Sequence, residues 1–205
     1  MKILFFVDTH ELNRLKKIKD KSKNVDLLVC AGDFTIFERD MAKALHELDS
    51  IGKPVLIIHG NHETASAVMI ACERLKNLKF IHKKYHIIED IVFYGFGGGG
   101  FSLRDESFTR EAEKFIQEFK TLSEKNFKEN HKHYRLVLVT HAPPFGTKVD
   151  EIGAHAGNQN ITEFIIQHQP IIAVCGHIHE NAGVEDKINM TRVINPGWDG
   201  MILEL

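Results

Sequence analysis

Five short apolar runs set the limits on what this chain can fold into. Lys2–Val7, Val25–Cys30, Pro54–Ile58, Leu136–Val139 and Ile171–Cys175 are each four to six residues long. Runs of that length are short for a helix, and they lack the polar alternation of a strand with one wet face. They read as strands buried on both sides, the pattern of sheets covered by helices. Amphipathic segments fall between them. Leu12–Ile18 places Leu12, Leu15 and Ile18 on one helical face, and Met41–Leu48, Ala65–Leu75 and Ile161–Gln167 read as further helices. Phe108–Phe127 is a longer helix with Phe108, Phe115, Phe119 and Leu122 in its apolar positions. Tyr85–Glu89 and Ile91–Gly95 read as two strands joined tightly at Asp90, hence antiparallel, and Thr191–Leu205 is strand-rich. With roughly nine strands, more than one narrow sheet needs, the pattern predicts an α/β domain of two packed sheets with helices outside. A chain of 205 residues suffices for one such domain, spanning 1–205.

The residues just after each run are equally informative. Asp8-Thr9-His10 succeeds the first, Gly32-Asp33 the second, Gly60-Asn61-His62-Glu63 the third, Thr140-His141 the fourth and Gly176-His177-Ile178-His179 the fifth. In open α/β sheets, ligands bind beyond the carboxyl ends of the strands. The five clusters are therefore expected to converge, bringing together Asp8, Asp33, His10, His141, His177, His179 and the amide oxygen of Asn61, with His62 beside them. Nitrogen and oxygen donors without thiolates suit Mn²⁺, Fe, Zn²⁺, Co²⁺ or Ni²⁺. Seven donors exceed one tetrahedral ion and suffice for two if a carboxylate bridges. Two ions about 3.5–4 Å apart form the clamp used for in-line displacement at phosphorus. In Asp8-x-His10 and His177-x-His179, alternate residues leaving a strand are expected to point the same way. Gly32, Gly60 and Gly176 mark points where the backbone turns sharply or approaches closely. Any one cluster alone reads as well as a cap, a turn or a core histidine; the weight lies in all five occurring at strand ends.

Composition narrows the classes further. Of 13 histidines, His46, His82, His86, His131, His133 and His168 fall in polar helices and loops without visible chemistry, and His59 is a neighbour of the site. Lys plus Arg is 26 against 28 for Asp plus Glu, a formal charge of −2, which disfavours nucleic acid as partner. The basic stretches Lys16–Lys23 and Lys120–Arg135 read as solvated helix faces. Three cysteines, none in a CxxC pair, predict buried reduced thiols. The N-terminal apolar run is too short for a signal core, and no stretch nears the ~20 apolar residues of a membrane span. A cytoplasmic location without membrane contact is expected.

The ordered set Asp8-x-His10, Gly32-Asp33, Gly60-Asn61-His62-Glu63, His141 and Gly176-His177-x-His179 resembles the calcineurin-like metallophosphoesterase superfamily over nearly the whole chain. The resemblance implies a four-layer αββα sandwich, which agrees with the surplus of strands. It implies Asp8, His10 and His179 on one metal, Asn61, His141 and His177 on the other, and Asp33 bridging. It leaves His62 unligated beside the substrate phosphate, which Asn61 also touches. Manganese is favoured among the candidate ions. On this reading a hydroxide between the ions attacks phosphorus in line, and His62, when protonated, donates to the leaving oxygen, so that His62 and Asp33 carry catalysis.

The block Ala142–Asp150 with His155-Ala156-Gly157 resembles the small prokaryotic Icc-related phosphoesterase branch and, more distantly, animal metallophosphoesterase-domain proteins. That branch implies a phosphodiesterase on small diesters, cyclic nucleotides among them. A phosphomonoesterase on nucleotides, sugars or phosphoproteins and a nuclease are the alternatives, and a non-catalytic interaction module is the weakest. Lys148 and His155, in the loop expected to border the metals, are candidate substrate contacts. Gly97–Gly100 reads as a flexible turn beside the pocket more than a phosphate cradle, since no Gly-Lys-Ser/Thr comes after it. A homodimer is the base-rate expectation.

Overall fold

Each of the five apolar runs becomes a strand in the computed structural model, which describes residues 1–205. In chain order the first half comprises β1 (Lys2–Phe6), α1 (Leu12–Lys21), β2 (Leu27–Cys30), α2 (Met41–Asp49), β3 (Val55–Ile57), α3 (Ala65–Cys72) and β4 (Leu78–Phe80). The middle holds β5 (Lys84–Ile88), β6 (Ile91–Phe96), the long helix α4 (Glu106–Asn130) and β7 (Arg135–Thr140). The chain ends with α5 (Gln159–His168), β8 (Ile172–Val174), β9 (Glu185–Ile188), β10 (Thr191–Ile194) and β11 (Met201–Glu204).

The strands form two mixed sheets, ordered β11-β1-β2-β3-β4 and β5-β6-β7-β8-β10-β9. Strands β1 to β4 are parallel, as are β6, β7, β8 and β10. The antiparallel members β11, β5 and β9 lie at edges. The two sheets pack face to face through Phe5, Val29 and Leu56 of one and Phe93, Val137 and Val174 of the other. Helices α1 to α3 cover the outer face of the first sheet, with Leu15, Ile18, Leu45 and Val68 packed on Leu4, Phe6 and Leu28. Helices α4 and α5 cover the second, with Phe108, Phe115 and Phe164 packed on Tyr94, Phe96 and Leu138. This is the four-layer αββα sandwich that the sequence implies. Central strands lose both faces to apolar layers, which is why they carry no alternation.

Some differences have plain causes. Strand β4 is only three residues long, and β9 reads Glu-Asp-Lys-Ile on an edge with its side chains half exposed. Neither has an apolar run to announce it. Only the first half of α4 is buried, at Phe108, Ala112, Phe115 and Ile116, while Phe119 and Leu122 are half-buried. Cys30, Cys72 and Cys175 are buried free thiols, as expected, and burial pushes the Cys72 thiol up to about 12. No helix is long and apolar enough to cross a membrane.

For the site, the consequence is geometric. The carboxyl ends of β1, β2 and β3 meet those of β7 and β8 at one edge of the sandwich. The join is direct: His141, after β7, bonds through ring Nδ1 to the carbonyl of Ala31, after β2, at 3.0 Å. Gly32, next in the chain, lies with its backbone against that of Gly60, 2.5 Å from where a Cβ would fall, and at φ +98° it is also in a conformation suited to glycine.

Candidate metal centre

At that edge the predicted donors converge in two groups. Asp8, His10 and His179 place their ligand atoms within 4.8 Å of one another, as do Asp8, Asp33 and His141. The Nε2 atoms of His10 and His179 are 3.1 Å apart, a separation suited to two nitrogens at about 2.1 Å from one ion. In the second group, Asn61 Oδ1 lies 3.0 Å from His141 Nε2 and 2.8 Å from His177 Nδ1. Asp33 stands between, with Oδ2 3.4 Å from His141 Nε2 and 3.8 Å from His62 Nε2. Asp8, Asp33 and His141 form a buried floor, His10, His62 and His177 are half-buried, and Asn61 and His179 are exposed at the rim. The seven donors thus meet at one open-mouthed site, where His62 also comes within ligand distance of His10 and Asp33.

Two rings are pre-set for ligation. His10 Nδ1 meets the carbonyl of Thr35 at 2.9 Å and His141 Nδ1 that of Ala31. A carbonyl only accepts, so each Nδ1 carries a proton and each Nε2 is left for a cation, the usual outer-sphere fixing of a metal histidine. The buried oxygens Oδ1 and Oδ2 of Asp8 have no hydrogen-bond partner at all, nor does Nε2 of His177. A carboxylate 1% exposed without a donor is among the most costly groups a fold can hold. Divalent ions bound here would supply what it lacks, so the residues present fit the group.

Alternation along a strand does not orient these side chains. Asp8, His10, Asp33 and His177 have φ of 54°, 53°, 50° and 68°, left-handed conformations uncommon outside glycine. The strands have already ended, and tight turns aim the donors. Backbone bonds between neighbouring strand ends hold these turns: Asp8 N–H donates to Gly32 O and His10 N–H to Asp33 O, both at 3.1 Å. Local strain of this kind collects at functional sites.

Electrostatics follow from burial against pairing. Burial pushes the Asp8 carboxyl up to about 6 despite the nearby imidazoles. Burial works on Asp33 in the same sense, but its bonds to His141 and to the His62 N–H hold it at about 2. For His141, burial disfavours the charged ring, yet the hydrogen bond and charge of Asp33, with Asp8 behind, raise it to about 9. Burial and the neighbouring His141 lower His177 to about 4. The metal-free chain therefore keeps a proton on His141 that a metal must displace.

Glu63 is the residue the sequence left without a role. It is buried, and burial with the charge of Asp33 raises its carboxyl. Oε2 accepts from Asp33 N–H at 3.1 Å and Gly60 N–H at 3.0 Å; Oε1 accepts from Thr35 N–H and Thr35 Oγ1, both at 2.8 Å. One carboxylate thus ties the loop after β2 to the loop after β3. Its place in Gly60-Asn61-His62-Glu63 was the only signal. The two candidate substrate contacts, in the loop after β7, have partners of their own. His155 Nδ1 bonds the buried Asp150 at 2.9 Å, and Lys148 gives its backbone N–H to Asp186 at 2.8 Å; neither joins the donor groups. His59 contacts no donor and instead seats Gly97 and Gly98. That close packing, together with left-handed φ at Gly98, Gly99 and Gly100, explains the glycines better than slack does.

An αββα sandwich with a nitrogen and oxygen cluster fit for two divalent ions at its strand ends defines the metallophosphoesterase class. The chain belongs to the calcineurin-like phosphoesterase family, which matches residues 1–181 and is dimetal-dependent. It is 32% identical over 211 residues to an uncharacterised protein of Methanocaldococcus jannaschii, covering 96% of this chain and 88% of that one. Among solved structures, TT1561 of Thermus thermophilus shares the fold with a TM-score of 0.73 at 15% identity, covering 96% and 88% of the two chains. A dimetal phosphatase from Danio rerio does so with a TM-score of 0.62 at 12% identity, covering 94% and 86%.

Two outcomes are expected. Glu63→Gln puts an amide N–H₂ where two donors already point, which should cost about 2 kcal/mol or more of stability and weaken metal uptake; an unchanged melting temperature and metal affinity would contradict that tie. Because bound metal excludes the His141 proton, uptake below its pKa of about 9 should release protons. Affinity should then rise by roughly tenfold per pH unit for each proton displaced between about pH 6 and pH 8. Calorimetric titrations in buffers of different ionisation enthalpy measure that release, and buffer-independent heats would contradict it.

Proposed function

We propose that the chain is a dinuclear metal-dependent phosphodiesterase acting on small diesters, cyclic nucleotides among the candidates. The observation that carries the metal-dependent part is Asp8, buried with both oxygens unpartnered inside a ring of nitrogen donors. When bound, two divalent ions, manganese favoured, acidify a water and neutralise the phosphoryl oxygens. Asp8, His10 and His179 would hold one ion and Asn61, His141 and His177 the other, with Asp33 shared.

His62 supports the hydrolytic reading. Phe37 donates its backbone N–H to His62 Nδ1 at 3.4 Å. With Nδ1 accepting, the proton sits on Nε2, the atom that faces Asp33 and the cleft. An N–H at Nε2 can then hydrogen-bond the departing oxygen. Support for a diester comes from beside His10. A cavity of about 430 Å³ opens there, walled by Leu12, Phe34, Ile36 and Ala44 on its apolar side and by Asn13 and Arg39 among its polar groups. Its size suits a small ligand, and its half-apolar lining suits an organic substituent on phosphorus better than the solvated oxygens of a monoester dianion.

The test is hydrolysis by the Mn²⁺-, Co²⁺- or Ni²⁺-loaded chain of bis-p-nitrophenyl phosphate, p-nitrophenyl phosphate and single-stranded DNA side by side. The diester should be cleaved fastest; a faster monoester or DNA reaction overturns the diester preference, and no hydrolysis of any overturns the enzyme. His62→Ala should lower kcat on the diester by about 10²–10⁴-fold with metal content intact. Loss of metal together with activity would refute that role.

A further inference from the structure

Two phenylalanines remain that neither the core nor the donor set uses. Phe37 is 77% exposed and Phe101 65% exposed, yet each packs on a histidine of the site. The Phe37 ring centroid lies 4.5 Å from that of His62, and the Phe101 centroid 4.4 Å from that of His177. Both histidines belong to the site: His62 faces Asp33, and His177 bonds Asn61.

Both rings are held in place. Phe37, Glu38 and Asp40 all have left-handed φ, at 48°, 61° and 54°. Glu38 N–H donates to His62 O at 3.1 Å, and Glu38 Oε1 accepts from Thr64 N–H and Oγ1 at 2.8 and 2.7 Å. Phe101 ends the glycine run, whose missing side chains let the backbone press on Ala142 at Gly99 and approach His177 at Gly100. A fold gains by burying phenylalanine, and left-handed non-glycine backbone has a cost. Two anchored loops that nonetheless present bare rings beside the same site indicate a ligand that covers them.

Resting on the phosphodiesterase reading, we propose that Phe37 and Phe101 are specificity-determining residues, apolar walls that select diesters whose retained substituent is a planar aromatic ring over those in which it is alkyl. A diester keeps one organic group on phosphorus when the other departs, and a flat ring on that retained group could lie against a phenylalanine face, as bases do on aromatic platforms. A nucleobase and a simple aryl group share this chemistry.

Three substrates with one leaving group, p-nitrophenolate, test the idea: methyl p-nitrophenyl phosphate, bis-p-nitrophenyl phosphate and thymidine 5′-(p-nitrophenyl phosphate). The wild type should prefer an aromatic diester over the methyl one through KM. Phe37→Ala or Phe101→Ala should erode that preference about tenfold, with a smaller loss on the methyl ester than on the aromatic ones, while Phe→Leu at the same position restores only part of it. Loss confined to the thymidine ester identifies a nucleobase as the group recognised; loss confined to the bis-aryl ester identifies a plain aryl group. An unchanged ratio, or an equal fall on all three, overturns the proposal.

Binding provides a reading independent of turnover. Trp198, the one tryptophan, has its ring centroid 6.4 Å from that of His179. Its fluorescence in the zinc-loaded chain should report tighter binding of phenyl phosphate than of methyl phosphate, with the difference lost in the alanine variants. Equal affinities in the wild type overturn the walls even if no ester is cleaved, whereas absent cleavage with retained discrimination overturns only the phosphodiesterase. A wild-type dimer that becomes monomeric on Phe37→Ala or Phe101→Ala would show the rings to be a subunit interface and would also overturn the proposal.

Discussion

Everything at the strand-end edge depends on two carboxylates buried side by side with no lysine or arginine paired to either. Asp33 is partly compensated by the His141 ring and the His62 N–H. Asp8 is not: its oxygens are buried without a donor, and the nearest guanidinium, Arg14, bonds its backbone carbonyl at 3.4 Å and lies over Trp198. An uncompensated buried ion costs several kcal/mol, and the chain has gathered nitrogen donors around these two rather than cations of its own. That choice makes sense when the missing charge comes from outside.

The same device appears twice more as scaffolding. Glu63 fixes the turns after β2 and β3 by accepting from Asp33, Gly60 and Thr35. Asp150, fully buried, fixes the loop after β7 by accepting from the N–H groups of Gly146, Thr147 and Gly157 and from the His155 ring. In both, one carboxylate satisfies several backbone donors at once. The difference from Asp8 is diagnostic. Scaffold carboxylates arrive fully hydrogen-bonded, and Asp8 arrives bare.

The sheet and the donor set were legible because both are written in contiguous residues. A run such as Val25–Cys30 with Gly32-Asp33 after it states a buried strand and a polar terminus in one short segment. Strand β9 was not legible, since Glu-Asp-Lys-Ile on an edge has no apolar signature. Neither was the way Asp8 and His10 are aimed, because left-handed turns at both replace simple alternation. Glu63 was seen as part of a motif but given no function, for its partners Asp33 and Thr35 lie 30 and 28 residues away. Phe37 and Phe101 escaped for the opposite reason: a lone phenylalanine reads as core until its exposure is known.

Anomalous diffraction from manganese-soaked crystals shows whether the seven donors hold two divalent ions. Two peaks are predicted about 3.5–4 Å apart, one among Asp8, His10 and His179 and one among Asn61, His141 and His177, with Asp33 reaching both. No peak at this edge at saturating manganese, or peaks held by other side chains, would show that these residues are not the ligands of a two-metal centre.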